Sequence, residues 1–327
     1  VAFPAVSIIK GKKSNKLSKV FTYLKYYLSI CYNFIFKKYD LVYVHFMSHN
    51  VPVLAGLYFL FKKKKPLVIN VHGDDVTNSK GKKIDKLNRF LLKKTDLVVV
   101  PSTYFKEMVL ENYPFLKMEQ IFVSPSGGVD AKRFYPIESE ENQIPVLGMI
   151  SRIDQGKGWD DFLKALKTLR DNNIHFQAII AGQGLQEREL KAMIEQFNLQ
   201  DRVNFLGLVK QEELVKLYNK MDVMMFPTKR DAESLGLVGV EAMSCGTPVI
   251  GGDIAGLKTY IQHNQNGLLF QPGNVPDLAA SIEKFLNFSS VEKKNMKNAA
   301  LKTAEEYESG YVMKKLLHKL RSLCIKN

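Results

Sequence analysis

The sequence predicts an α/β protein built as two doubly wound domains facing a common crevice. Three observations predict it. Short β-branched and apolar runs alternate with longer segments of helical period, the pattern of parallel sheets covered by helices. The stretch "YPIESEENQIP" is acidic, polar and bracketed by prolines, and it divides those runs into two sets. At 327 residues and 46% hydrophobic, the chain is large enough to bury a core in each half.

Taken in order, the strand candidates of the first half are "DLVYVHF", "PLVINVH", "DLVVVP" and "IFVSP". Those of the second half are "PVLGMI", "FQAIIAG", "VNFLG", "DVMMFP", "PVIGG" and "NGLLF". Between the first two of this set, Trp159, Phe162, Leu163, Leu166 and Leu169 fall on one face of a helix. Solenoid-period repeats and low-complexity tracts are absent from the sequence. The expected division is a Rossmann-like domain over 1–138, a second over 139–311, and a closing helix over 312–327. That helix, in "YVMKKLLHKLRSL", is expected to pack back on the first domain. In such sheets ligands bind beyond the carboxyl ends of the strands.

Composition narrows the function. Cys31, Cys245 and Cys324 form neither a disulfide framework nor a metal-ligand spacing, which suits a reducing, cytoplasmic compartment. No apolar run reaches the roughly 18–20 residues of a spanning helix. In "VAFPAVSIIKGKK" the charges follow the apolar part, unlike a signal peptide. Charge is uneven: residues 1–145 hold 23 Lys and Arg against 12 Asp and Glu, and the remainder 24 against 21. A basic first half points to an anionic partner. "YLKYYLSICYNFIFKKY" and "GLYFLFKKKKP" set aromatics beside lysines, which suits an anionic membrane surface and a peripheral protein. No zinc spacing, helix-turn-helix or RRM-type motif supports nucleic acid as that partner.

The chemistry centres on "DAESLGLVGVEAMSCGTPVIGG". Glu233 opens an apolar run and Glu241 lies inside it, neither with a basic neighbour along the chain. If "DVMMFP" is a strand and "LGLVGVEAMSCG" a helix closed by Gly246, Glu233 stands just before the helix. Glu241 is then two turns within, about 12 Å further along the axis. That is too far for a glycosidase pair, which flanks one bond at about 5 to 9.5 Å. It suits a ligand with two hydroxyl-bearing ends and an anionic middle. The amides of Leu235, Gly236 and Leu237, following Ser234, would meet that middle at the positive end of a helix. Hydroxyls, phosphates, hydroxyls describe a nucleotide sugar.

Glu233 and Glu241 followed by Ala242, Met243, Cys245, Gly246 and Pro248 resemble the signature of family 4 retaining glycosyltransferases, which have the GT-B fold. The resemblance implies that Glu233 faces the transferred sugar and Glu241 the ribose hydroxyls. "ISRIDQGKGWDDFLKAL" resembles the family's G-R-x4-K-G loop, with Ser151 where glycine is usual. Arg152 and Lys157 there can hold a diphosphate and stabilise its growing charge. By the same resemblance His72, in "NVHGDDV", contacts the donor sugar, and a satisfied core histidine is the plain alternative. His45, in "YVHFMSHN", is given no role. "SPSGGVDAKRF" resembles the family's hinge turn, with Ser126 and one added glycine. "AGQGLQERE" resembles a family loop but could be a plain strand-to-helix turn.

The expected enzyme is therefore a hexosyltransferase that retains configuration. It would move a hexose from a nucleotide-diphosphate sugar to a hydroxyl acceptor, a glycan or lipid-linked polysaccharide precursor. The alternatives are a GT-B nucleotide-sugar epimerase and a non-catalytic nucleotide- or glycan-binding subunit. No cofactor or metal is expected: Asp-x-Asp does not occur, and Arg152 with Lys157 supplies positive charge. Asp231-x-Glu233 and the pair Asp74–Asp75 are the cation candidates, and neither is expected to require a metal. Two departures from the family pattern stand out. The usual opening strand and glycine-rich loop are not seen before "KLSKVFTYLKYYL". Thr259 occupies a position that is usually acidic.

Overall fold

The computed structural model describes residues 16–61, 65–73, 76, 83–138 and 140–325. The opening stretch, the lysines at 62–64 and the Asp74–Asp75 pair lie outside the described residues. The chain divides into two compact units. The first comprises Val1–Val100, Lys106–Val123 and Leu317–Asn327, and the second Pro101–Phe105 and Ser124–Leu316.

The first unit runs α1 (Lys16–Phe36), β1 (Val42–His45), α2 (Met47–Leu60), β2 (Leu67–Asn70), α3 (Lys83–Leu92), β3 (Leu97–Val100), α4 (Thr103–Asn112) and β4 (Ile121–Val123). Its four strands are parallel, in the order β1-β2-β3-β4, with Val42 opposite Leu67 and Val98 opposite Ile121. Each strand joins its neighbour through a helix, and right-handed crossovers in one direction put those helices on one face. Packing of α2 against α3 follows from this. Leu97, Val98, Val99 and Val100 are all buried, which is why "DLVVVP" reads as an unbroken apolar run.

The second unit runs β5 (Val146–Ile150), α5 (Trp159–Asp171), β6 (Gln177–Ala181), α6 (Glu187–Gln196), β7 (Val203–Phe205), α7 (Gln211–Lys220), β8 (Val223–Phe226), α8 (Leu237–Ser244), β9 (Val249–Gly252), β10 (Gly267–Phe270), α9 (Val275–Leu286), α10 (Ser290–Glu305) and the first part of α11 (Ser309–Ile325), whose residues from Leu317 on belong to the first unit. Six parallel strands stand in the order β10-β9-β8-β5-β6-β7. The order reverses between β5 and β8, the topological switch point at which doubly wound sheets bind ligands.

Side-chain alternation divides the core of this unit. Leu147 and Met149 of β5 and Val223 and Met225 of β8 face α5 and α9, where Phe162, Leu163, Leu166, Leu169, Leu278, Ile282 and Phe285 are buried. Val146 and Ile150, with Met224 and Phe226, face α7, α8 and α10 through Tyr218, Val240, Met243 and Ala300. The expected helical face of Trp159, Phe162, Leu163, Leu166 and Leu169 is thus the one α5 buries. Fully burying one such side chain stabilises the fold by about 1.5–3 kcal/mol.

One boundary differs from the sequence reading. The helix expected to begin at Leu235 begins at Leu237. Gly236 adopts a left-handed backbone with φ of 76°, which no right-handed helix can include. Leu235 turns its side chain fully into the core beside Phe226. The far end is as read, since Gly246 closes the helix with φ of 78° and donates its amide to Met243. The turn Ser126–Gly127–Gly128 is left-handed at all three residues, with φ of 47°, 88° and 77°. It brings Val129 alongside Glu308, bonded to the Tyr307 carbonyl and the Ser309 amide.

Candidate active site

The residues singled out in the second unit converge on the switch point. The loop after β5 carries Arg152 and Lys157, and the loop after β8 carries Thr228, Glu233 and Ser234. Gly158 lets the two loops touch. It has φ of 79°, and a Cβ there would lie 1.8 Å from the Pro227 carbonyl oxygen. Next to it the Lys229 amide donates to the Gly156 carbonyl at 2.8 Å. These contacts set Lys157 against Glu233, with Nζ 2.6 Å from Oε2 and side chains 11% and 12% exposed. Lys229 and Arg230 are the nearest bases along the chain, yet folding pairs Glu233 with Lys157 from 76 positions away.

Thr228 was missed by the sequence reading. It is fully buried, and its hydroxyl lies 3.2 Å from Glu233 Oε2 and 3.4 Å from the Gly156 carbonyl. A hydroxyl has one proton, so it donates to one of these oxygens at a time. Its sequence signal is a small polar residue two positions after an apolar strand, at the carboxyl edge. The backbone of Glu233 is fixed as well, since its amide donates to Arg230 and its carbonyl accepts from Gly256. Gly256 is needed there, because a Cβ would lie 2.1 Å from the Ser234 carbonyl oxygen.

Arg152, on the same loop as Lys157, pairs with a different carboxylate. Its Nη1 lies 3.1 Å from Asp154 Oδ2, and its side chain is 62% exposed. Both cations expected to act on the diphosphate are thus ion-paired here, Lys157 sheltered with Glu233 and Arg152 with Asp154 in solvent. Asp154 also accepts the Leu185 amide at 3.0 Å, which ties the β5 loop to the "AGQGLQ" turn.

Glu241 sits inside α8, four residues past its start. Tyr218, fully buried, donates its hydroxyl to Glu241 Oε2 at 2.8 Å. Burial pushes the Glu241 carboxyl up from its ordinary value, against the opposing effects of the Tyr218 hydrogen bond and of Arg133. Ahead of it, the amides of Leu235, Gly236, Leu237 and Val238 meet no backbone acceptor among the described residues. A helix start of this kind favours an anion.

In the first unit, β1 and β2 are parallel neighbours, so residues at their carboxyl ends come together. His45 ends β1 and His72 follows β2 by two residues; their rings stack, with His45 Nδ1 3.0 Å from His72 Nε2. Phe46, left-handed with φ of 58°, stacks on His72 at 4.2 Å between centroids. Burial, with His45 beside it, pushes His72 down to about 4. His45, which the sequence left without a role, is thus the partner of the residue it did single out. Among the described residues no three His, Cys, Asp or Glu side chains cluster as metal ligands. Cys245 is buried, which pushes its thiol up to about 12.

Residues 132–303 match the family described as glycosyl transferases group 1, and residues 3–133 match glycosyltransferase family 4. The chain belongs to the glycosyl transferases group 1 family and is a family 4 glycosyltransferase of the GT-B fold, an enzyme of the hexosyltransferase class. Among its relatives is an uncharacterized glycosyltransferase of Methanocaldococcus jannaschii. It is 25% identical over 301 residues, which cover 86% of this chain and 75% of the relative. A sucrose-phosphate synthase from Thermosynechococcus elongatus has a similar structure, with a TM-score of 0.81 and 19% identity over 98% of this chain and 83% of the other. HepE of Anabaena, solved in complex with UDP, gives a TM-score of 0.76 at 21% identity, covering 94% of this chain and 84% of that one.

Proposed function

We propose that this glycosyltransferase moves a hexose, with retention, from a nucleotide-diphosphate sugar to a hydroxyl acceptor. One observation carries the reading. Lys157, Glu233 and the start of α8 meet at the switch point of the second sheet, with Glu241 further along the same helix. That order matches the polarity of a nucleotide sugar. Glu233 takes the hexose hydroxyls. Lys157, Arg152 and the amides from Leu235 to Leu237 take the diphosphate, and Glu241 takes the ribose. HepE, of similar fold, is solved with UDP, which supports a nucleotide in this class of site.

The chemistry asked of these residues is electrostatic. As the bond from the anomeric carbon to the phosphate oxygen breaks, its electron pair goes to the diphosphate, where Lys157 and Arg152 stabilise the charge. The acceptor hydroxyl attacks from the same face and gives its proton to the departing phosphate oxygen. Glu233 orients the hexose and forms no covalent adduct. No metal is required, because the two cations and the helix start supply the positive charge. The acceptor is a lipid-linked or cell-surface polysaccharide precursor, met on the cytoplasmic side of a membrane; the basic first half of the chain supports this.

A thermal-shift panel of nucleoside diphosphates tests the reading. A ligand that binds only the folded state at 100 times its Kd adds about 2.7 kcal/mol, several degrees for a chain of this size. One base is expected to give a clear rise in melting temperature and the matching monophosphate a smaller one. A panel with no shift at millimolar ligand would sink the proposal.

A further inference from the structure

In the first unit, α1 is apolar on two faces. One face meets α2, where Tyr26 donates to the Asn50 side chain, Tyr27 to the His49 carbonyl, and Phe34 packs on Tyr58 and Phe61 at 5.4 and 6.0 Å between centroids. The other face carries Val20, Leu24, Leu28, Tyr32 and Phe36, spaced four apart and all exposed, Phe36 at 70%. The Phe34 contacts bring the end of α1 beside the end of α2, where Phe59 and Leu60 are each 72% exposed. The described ends of the two aromatic–lysine runs thus come together. Exposed Lys37, Lys38 and Lys65 belong to the same helix ends, and Lys37 Nζ lies 5.8 Å from the centre of the Tyr32 ring.

A helix apolar on two faces needs cover on both. No described helix is long and apolar enough to cross a membrane, so the outer face of α1 can lie along an apolar layer but not through one. Charge identifies the layer. Residues 1–73 hold twelve lysines and a single acid, Asp40. A second copy docked on this surface would set exposed Lys37, Lys38 and Lys65 against their own kind, whereas anionic lipid neutralises them.

We propose that the outer face of α1 and the C-terminal end of α2 form one docking surface for an anionic lipid bilayer. Phe36, Phe59 and Leu60 enter the headgroup boundary, while Lys37, Lys38 and Lys65 keep their charge at the phosphates. The inference deepens the membrane-side reading above and rests on it for the acceptor alone, since docking itself needs neither donor nor turnover.

The full chain is sedimented with phosphatidylcholine vesicles, with or without phosphatidylglycerol, at low and at raised salt. Binding is expected only with phosphatidylglycerol and should weaken as salt rises. Each lysine near such a surface contributes roughly fivefold, so Lys37→Gln with Lys38→Gln should lower the partition by about 25-fold. Phe36→Ser with Phe59→Ser should lower it by about tenfold or more. Nucleoside diphosphate binding, measured on the same variants without vesicles, should not change. A failed nucleotide panel with intact vesicle binding would therefore strike the donor reading and leave this one standing. Equal binding to pure phosphatidylcholine, or variants that bind as tightly as the parent, would overturn the proposal. So would light scattering showing that these changes convert a dimer to a monomer.

Discussion

Replacing Glu233 by Gln probes the ion pair at the centre of the site. Lys157 Nζ lies 2.6 Å from Glu233 Oε2, both side chains are nearly covered, and Thr228 reaches the same oxygen. Glutamine keeps the volume and one acceptor oxygen but removes the charge. Hydrogen bonds to charged groups contribute about 1.5–3 kcal/mol and neutral ones about 1. The variant should thus lose about 0.5–2 kcal/mol of stability, toward the lower end because some solvent reaches the pair. The same interaction competes with an incoming diphosphate for Lys157. Weakening it returns a similar free energy on binding, so nucleoside diphosphate should bind roughly 2- to 30-fold more tightly. Turnover should fall, because the carboxylate facing the hexose is gone. Calorimetric titration of the parent, Glu233→Gln and Glu241→Gln at one ionic strength reads this directly. Glu241→Gln should weaken binding, since that end of the site takes the ribose. If Glu233→Gln binds nucleotide no better than the parent, or loses more affinity than Glu241→Gln, the exchange of Lys157 between carboxylate and phosphate is refuted.

Two further outcomes follow from the geometry. Gly158→Ala forces a side chain onto a left-handed backbone with its Cβ 1.8 Å from the Pro227 carbonyl oxygen. The strained conformation alone costs roughly 1–3 kcal/mol, so the melting temperature should drop and the Lys157 loop should leave its register. A variant that binds nucleotide normally at unchanged melting temperature would contradict the packing described. His72 should titrate near 4 by NMR, below its ordinary range. The unfolded chain then takes up that proton at higher pH than the folded one. This contribution to stability is present above about 6.5 and is lost as pH falls toward about 4. His72→Gln should flatten the melting-temperature curve in that window, and a midpoint near 6.5 would show that the ring is not buried as described.

All ten strands of the two sheets fall within the runs marked in the sequence. β3, β5, β8 and β9 are buried throughout and so read as unbroken apolar runs, while edge strands such as β7 keep exposed polar residues. The buried face of α5 was equally legible, since Trp159, Phe162, Leu163, Leu166 and Leu169 repeat at the helical period. Glu233 and Glu241, with Arg152 and Lys157, were marked by residue type and spacing, and Gly246 by its place at a helix end. All of these are local properties, set by neighbours within a few turns of chain.

What the sequence left open depends on which distant segments meet. The strand order β10-β9-β8-β5-β6-β7 puts the loops after β5 and β8 side by side, and only that adjacency gives Glu233 its lysine. The pairing of β1 with β2 makes His45 the partner of His72. The start of α8 moved by two residues because the core took the Leu235 side chain and Gly236 had to turn left-handed to allow it. The sequence determined which residues could carry the chemistry, because residue type and local period are written along the chain. The tertiary structure decided which of them touch, because in a parallel sheet every loop that can reach a ligand leaves from the same edge, and strand order alone chooses its neighbours.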